Sequence, residues 1–193
     1  MKNLKVKIKE VKNLSKDWYI LDKVNFDFQR KNGTWQNQNR ECYDRGNGAA
    51  ILLYNTSKKT VILIKQFRMP TYLNGNKDGM LIEVCAGVLD KNDPITCIKN
   101  EAIEETGYQI ENPKKIFEIY SSPAAVTETL HYFIAEYTDE MKISDGGGLT
   151  EEAEEIEVLE LDFDKALEMI YNGQIQDAKT IILLQYAKIH NLL

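Results

Sequence analysis

The sequence predicts a mixed α/β fold: a β-sheet sandwiched between helices, preceded by a small antiparallel β unit. Three observations carry this. Residues 49–54, 61–64 and 81–85 are short apolar runs with the length and composition of buried strands. Asp93-Pro94 opens a helix that Gly107 closes. In the first 45 residues, by contrast, Val24, Phe26 and Phe28 alternate with polar residues, the period of a half-covered strand.

In chain order, Lys31-Asn32-Gly33 marks a hairpin turn before Thr34 and Trp35. A unit this short cannot bury enough apolar surface alone, so it must rest on the remaining chain or on a second copy. Glu41, Asp44 and Arg45 lead into Gly46-Asn47-Gly48, a hinge that divides the chain into 1–45 and 46–193. Strands are expected at 49–54 and 61–64, the second continuing through Gln66-Phe67-Arg68, with a polar turn at 55–59. A loop spans 69–79, and a strand over 81–85 runs on into Ala86-Gly87. In the helix that follows, Asp93 is the N-cap, Pro94 the first helical residue and Gly107 the C′ residue. Ile95, Ile98 and Ala102 then form its core stripe. Strands at 116–120, 130–137 and 156–161 follow, with a polar, glycine-bearing loop over 141–155. Helices at 164–171, capped by Asp162 or Asp164, and at 178–190 close the chain.

The net charge of -6 and a pI near 5.1 argue against a nucleic-acid partner, though not against a small phosphate-bearing molecule. Cys42, Cys85 and Cys97 lack metal-ligand spacing and read as buried thiols in a reducing compartment. No apolar run approaches the roughly 18 residues a membrane span needs, and the first residues have no secretory apolar region. A cytoplasmic protein without a membrane partner is expected.

The chemistry concentrates behind Gly87. Glu101, Glu104 and Glu105 stand at i, i+3 and i+4, on one helical face. Like charges so placed cost roughly 0.2–0.5 kcal/mol per pair, and they lie at the helix's negative end. No Lys or Arg follows Glu101 or Glu104 at i+3 or i+4. A divalent cation would relieve them. An isolated Glu-x-x-Glu-Glu is ordinarily a solvated face; the glycine, loop and N-cap ahead of it change that reading.

The stretch 87–108 resembles the Nudix hydrolase box. Glu101-Ala-Ile-Glu104-Glu105-Thr-Gly107-Tyr108 matches its second half without a gap. In the first half Asp93 replaces a Glu, the spacer after it is one residue short, and Asn100 stands where Arg is usual. Mg²⁺ is the expected cofactor, with Glu101 and Glu105 as first ligands, Glu104 close behind, and Glu105 counted in the catalytic set. The resemblance adds the Ala86 carbonyl as a ligand. A second run, Glu151-Glu152-Ala153-Glu154-Glu155, follows Gly146-Gly147-Gly148. It is either a solubilising tract or a loop that closes over substrate. In the nucleoside-diphosphate-sugar branch a loop acid precedes an Ile-x-Val strand, which here implies Glu152 as base and Glu154 as metal ligand.

Substrate contacts are fewer in type. Arg68 suits a phosphate or a surface salt bridge equally. Lys179 at the last helix is more often a solvated end charge, Arg40 and Glu41 read as exposed strand decoration, and Trp18 as a staple between the first unit and its neighbour. Glu128 can accept a sugar hydroxyl, and His131 reads as a packed core histidine. A closer resemblance then enters through Glu41-Cys-Tyr43-Asp44-Arg45-Gly46-Asn47-Gly48, Leu63-Ile-Lys-Gln-Phe-Arg68, and Ser122-Pro123 with Val126-Thr127-Glu128. These are similar to the GDP-mannose hydrolase branch of the family. The resemblance implies Mg²⁺-dependent cleavage of a nucleoside diphosphate sugar, GDP-mannose before others, to GMP and mannose 1-phosphate. It places Arg68, Ala86, Gly87, Val88, Glu128 and Lys179 against the substrate. It also implies a homodimer with exchanged N-terminal sheets, giving Trp18, Arg40 and Glu41 a role in trans. ADP-ribose pyrophosphatases share these features and remain an alternative. A non-catalytic nucleotide-sugar sensor is a second alternative, supported by Asn100 and the short spacer.

Overall fold

The computed structural model describes residues 5–89, 92–149, 151 and 154–193. The chain forms two compact units, one comprising Met1–Asn47 with Tyr120–Thr129 and the other Gly48–Ile119 with Leu130–Leu193.

The first unit is an antiparallel meander of β1 (Val6–Lys16), β2 (Ile20–Gln29) and β3 (Trp35–Asp44). The predicted turn falls between β2 and β3, where Gln29 pairs with Trp35. Register shifts in β1 after Ile8 and Asn13 mark bulges. Tyr43 at the end of β3 is tied to the 120–129 segment: its N–H donates to Ala125 O at 2.8 Å and its carbonyl accepts from Thr127 N at 3.0 Å. Every residue of β1 is exposed, Ile8 to 66%. Trp18, between β1 and β2, is exposed, and its ring meets the edge of Tyr19.

The second unit is built on a seven-stranded sheet. Its strands are β4 (Gly48–Asn55), β5 (Thr60–Phe67), β6 (Met80–Glu83), β7 (Cys85–Val88), β8 (Lys114–Tyr120), β9 (Thr129–Glu136) and β10 (Glu157–Asp162). The order is β10-β5-β4-β9-β8, with β6 on β5 and β7 on β4. β4 and β9 run parallel; β4 is antiparallel to β5 and β7. The helices are α1 (Met69–Leu73), a short turn inside the expected 69–79 loop, α2 (Pro94–Glu101), α3 (Phe163–Tyr171) and α4 (Ala178–Ile189).

The predicted mixed sheet between helices is therefore what forms, and β4 shows why its sequence is unbroken apolar. Ala49, Ile51 and Leu53 pack with Ile98 and Ala102 of the α2 layer, whereas Ala50 and Leu52 pack with Leu183 and Leu184 of α4. A strand covered on both faces has no polar side to show. Asp162, not Asp164, caps α3, accepting from Lys165 N at 3.0 Å.

Two expectations are corrected. The single strand over 81–85 is two strands broken at Val84, because the chain changes neighbour from β5 to β4. Val84 N leaves the ladder and donates to Thr180 Oγ1 at 2.8 Å. Second, the helix after Asp93 is not regular to its end. α2 passes into a π-helical turn, Ala102–Thr106, before Gly107 stops it at φ 80°. Asp93 caps the start as expected, accepting from Ile95 N and Thr96 N at 3.0 and 3.1 Å. Ile98 and Ala102 are buried, but Ile95, in the first turn, is exposed and leaves the core stripe to Cys97.

Candidate active site

Glu101 ends α2, and Glu104 and Glu105 lie in the π turn that follows it. Glu101 and Glu104 are half-buried, while Glu105 is 2% exposed and turned against β7. There Ala86 N donates to Glu105 Oε2 at 3.0 Å. Burial pushes the Glu105 carboxyl up to about 8, against hydrogen bonds from Cys85 and Ala86 N; the charges of Glu101 and Glu154 push the same way. Burial likewise pushes the Cys85 thiol well up.

Gly87 and the glycine loop shape the space around these acids. A Cβ on Gly87 would lie 1.9 Å from Glu101 Oε1, so the Glu101 carboxylate occupies the volume a side chain would need. Gly147 N and Gly148 N each donate at 3.0 Å, to Glu105 O and Glu104 O, satisfying carbonyls at the helix end. Glu154 follows this loop and accepts from Leu149 N at 3.2 Å. Glu152, expected as the base, lies outside the described residues.

Carboxylates with one deeply buried member and main-chain carbonyls nearby form a donor set for a hard divalent cation. Among the described residues no three acidic, histidine or cysteine side chains already form a closed metal cluster. Mg²⁺ does not require one, since it is held through one or two carboxylates together with substrate phosphates and water. The donor chemistry fits.

Beside the acids, a groove of about 790 Å³ is lined by Gln66, Phe67 and Arg68 of the β5 end, Met80, and Glu154 to Glu157. Arg68 Nε donates to Glu83 Oε2 at 2.7 Å, and Lys179 Nζ to Glu83 Oε1 at 2.7 Å. Lys179 is thus no solvated end charge; its side chain is 15% exposed.

A family model described as the NUDIX domain matches residues 44–182, and one described as the GDP-mannose pyrophosphatase NudK N-terminal domain matches residues 5–43. The chain belongs to the Nudix family. The resemblance read from 87–108 holds, and the chain is a Nudix hydrolase. Nudix hydrolases generally use divalent metal ions. Similar proteins include the GDP-mannose pyrophosphatase of Yersinia enterocolitica, 55% identical over 98% of this chain and 100% of its own. That of Salmonella typhimurium is 55% identical over 94% of each chain, and that of Cronobacter sakazakii 51% over 99% of each.

The other expected contacts of this Nudix hydrolase lie in the first unit. Glu128 Oε1 pairs with Arg45 Nε at 3.6 Å, and Thr127 Oγ1 donates to Asp44 Oδ1 at 3.1 Å. Arg40 donates to Asn39 O and Gln38 Oε1 along β3, and Glu41 beside it is exposed. His131 is packed on β9 with Nδ1 3.4 Å from Glu118 Oε2, and burial lowers its pKa. Two residues escaped the sequence reading. Glu83 bridges two cations, and its signal was a lone carboxylate between Ile82 and Val84. Gln66 is buried with its Nε2 unpartnered among the described residues; nothing in Lys65-Gln66-Phe67 marks it.

Proposed function

We propose that this Nudix hydrolase cleaves the pyrophosphate linkage of GDP-mannose with Mg²⁺, giving GMP and mannose 1-phosphate. The observation that carries the reading is the gathering of Glu101, Glu105 and Glu154 at the β7 end, beside a groove walled by Arg68. The name shared by relatives 55% identical over nearly the whole chain supports the substrate. Glu101, Glu105 and Glu154, with the Ala86 carbonyl and with Glu104 near, would hold the metal. When bound, Mg²⁺ offsets phosphate charge and lowers the pKa of water. The Ala86 N–H fixes the orientation of Glu105. Arg68 and Lys179 offer donors to phosphate oxygens, which Arg in particular grips in pairs. Gly87 and Val88 give close backbone approach to the substrate, and Glu152 takes the proton of the attacking water.

The working unit in this reading is a homodimer, since an exposed β1 with Val6, Ile8 and Val11 outward calls for a cover. Trp18, Arg40, Glu41 and Glu128 would then contribute nucleotide or sugar contacts, the first three in trans. Three free thiols fit a cytoplasmic setting, and no described helix is long and apolar enough to cross a membrane. Phosphorus NMR of products from GDP-mannose and ADP-ribose with Mg²⁺ tests the reaction. Faster kcat/KM for GDP-mannose is expected; preference for ADP-ribose would move the assignment to that pyrophosphatase, and no turnover would end it. Sedimentation tests the dimer.

A further inference from the structure

Glu83 ends β6 and is the one charged residue in Met80-Leu81-Ile82-Glu83-Val84-Cys85. Its side chain is 4% exposed. A carboxylate so far from water persists only when it is paired and hydrogen-bonded. Here each oxygen has a separate cation, Oε2 taking Arg68 Nε and Oε1 taking Lys179 Nζ, both at 2.7 Å. Lys179 also donates to Asp177 Oδ1 at 3.0 Å. The other oxygen of Asp177 accepts from Thr180 N and Oγ1 at 2.9 and 2.6 Å, capping α4. Val84 N, next to Glu83, donates to the same Thr180 hydroxyl. Glu83 is therefore anchored through its own side chain and through the adjacent backbone.

The atoms used are informative. A strong Arg–carboxylate pair is frequently bidentate, with two parallel N–H···O bonds. Arg68 instead gives Glu83 its Nε, which fixes the guanidinium plane and leaves both terminal nitrogens outside the pair. Arg68 is 39% exposed and lines the groove; Glu83 does not. Lys179 likewise spends two of its three donors on Glu83 and Asp177.

We infer that Glu83 is a positioning residue: it holds Arg68 by Nε and Lys179 by Nζ so that their remaining donors meet the substrate's pyrophosphate. The inference rests on the nucleotide-sugar reading of the site. Its test compares kcat, KM for GDP-mannose and thermal unfolding in wild type, Glu83→Asp, Glu83→Gln, Arg68→Ala and the Arg68→Ala/Glu83→Gln double variant. Glu83→Asp keeps the charge but draws it back by one methylene, so KM rises about tenfold while kcat stays within about twofold. Glu83→Gln raises KM further, and does so less on the Arg68→Ala background, because part of its effect passes through Arg68. A wild-type KM in Glu83→Asp, whatever its melting temperature, overturns the inference, as do fully additive effects in the double variant. Should Glu83→Gln fail to fold, Glu83→Asp decides. An active wild type with unmoved KM values removes only the role of Glu83; a wild type inert toward nucleotide sugars removes the underlying reading as well.

Discussion

Replacing Gly87 by alanine separates the chemistry from the fold. The added Cβ would stand 1.9 Å from Glu101 Oε1 and 2.0 Å from its Cδ, while ordinary contact begins at 3.4 Å. The carboxylate must therefore retreat by about 1.5 Å, since β7 is held by its pairing to β4 on the other side. What moves is the end of a flexible side chain, so the stability loss should sit near the low end of the roughly 1–3 kcal/mol typical of overpacking. For a chain of this size that is a melting shift of about 2–4 °C per kcal/mol. A displacement of that length at a ligand carboxylate is expected to lower kcat/KM by about a hundredfold. Initial rates with GDP-mannose at saturating Mg²⁺, paired with circular-dichroism melting, measure both. Turnover within about twofold of wild type would refute the placement of Glu101 at the reacting centre. Loss of the melting transition would show instead that the alanine breaks the β7 turn.

Three further outcomes are expected. Glu105→Gln abolishes turnover and leaves the circular-dichroism spectrum unchanged; a variant with near-native kcat would disprove the metal assignment. Thr180→Val leaves the Val84 N–H without an acceptor in the core and lowers stability by about 1–3 kcal/mol in urea unfolding. Glu160 gives a pH test. Burial raises its pKa, but hydrogen bonds from Tyr137, Lys58 and Thr60 outweigh this and hold it below the usual value. A depressed folded-state pKa contributes stability above the unfolded value, near 4.5, that is lost as pH falls through the folded one. Glu160→Gln should thus melt below wild type at pH 7, with the gap closing below about pH 4.5. Because the side chain is 37% exposed, the gap at pH 7 should stay under about 1 kcal/mol. A gap that widens in acid would contradict the network.

Local signals on the chain specified a good deal of this protein. Asp93 and Pro94 set the start of α2 because a cap needs only the first-turn amides. The apolar run in β4 announced a strand covered on both faces, and Gly107 announced the helix stop. The spacing of Glu101, Glu104 and Glu105 was enough to suggest a cation, since charge repulsion along a helix is a short-range matter. What spacing could not give was direction. Glu105, in the π turn Ala102–Thr106, is turned inward onto Ala86 N, and Ile95 in the first turn of α2 is left outside. The pairing of Glu83 with Lys179, 96 residues away, and the joining of 120–129 to the N-terminal strands are equally invisible to periodicity. Periodicity tells a residue which side of its own element it occupies. Which distant group waits there depends on how strands and helices are brought together, and that is fixed only when the sheet closes and buried polar atoms must find partners.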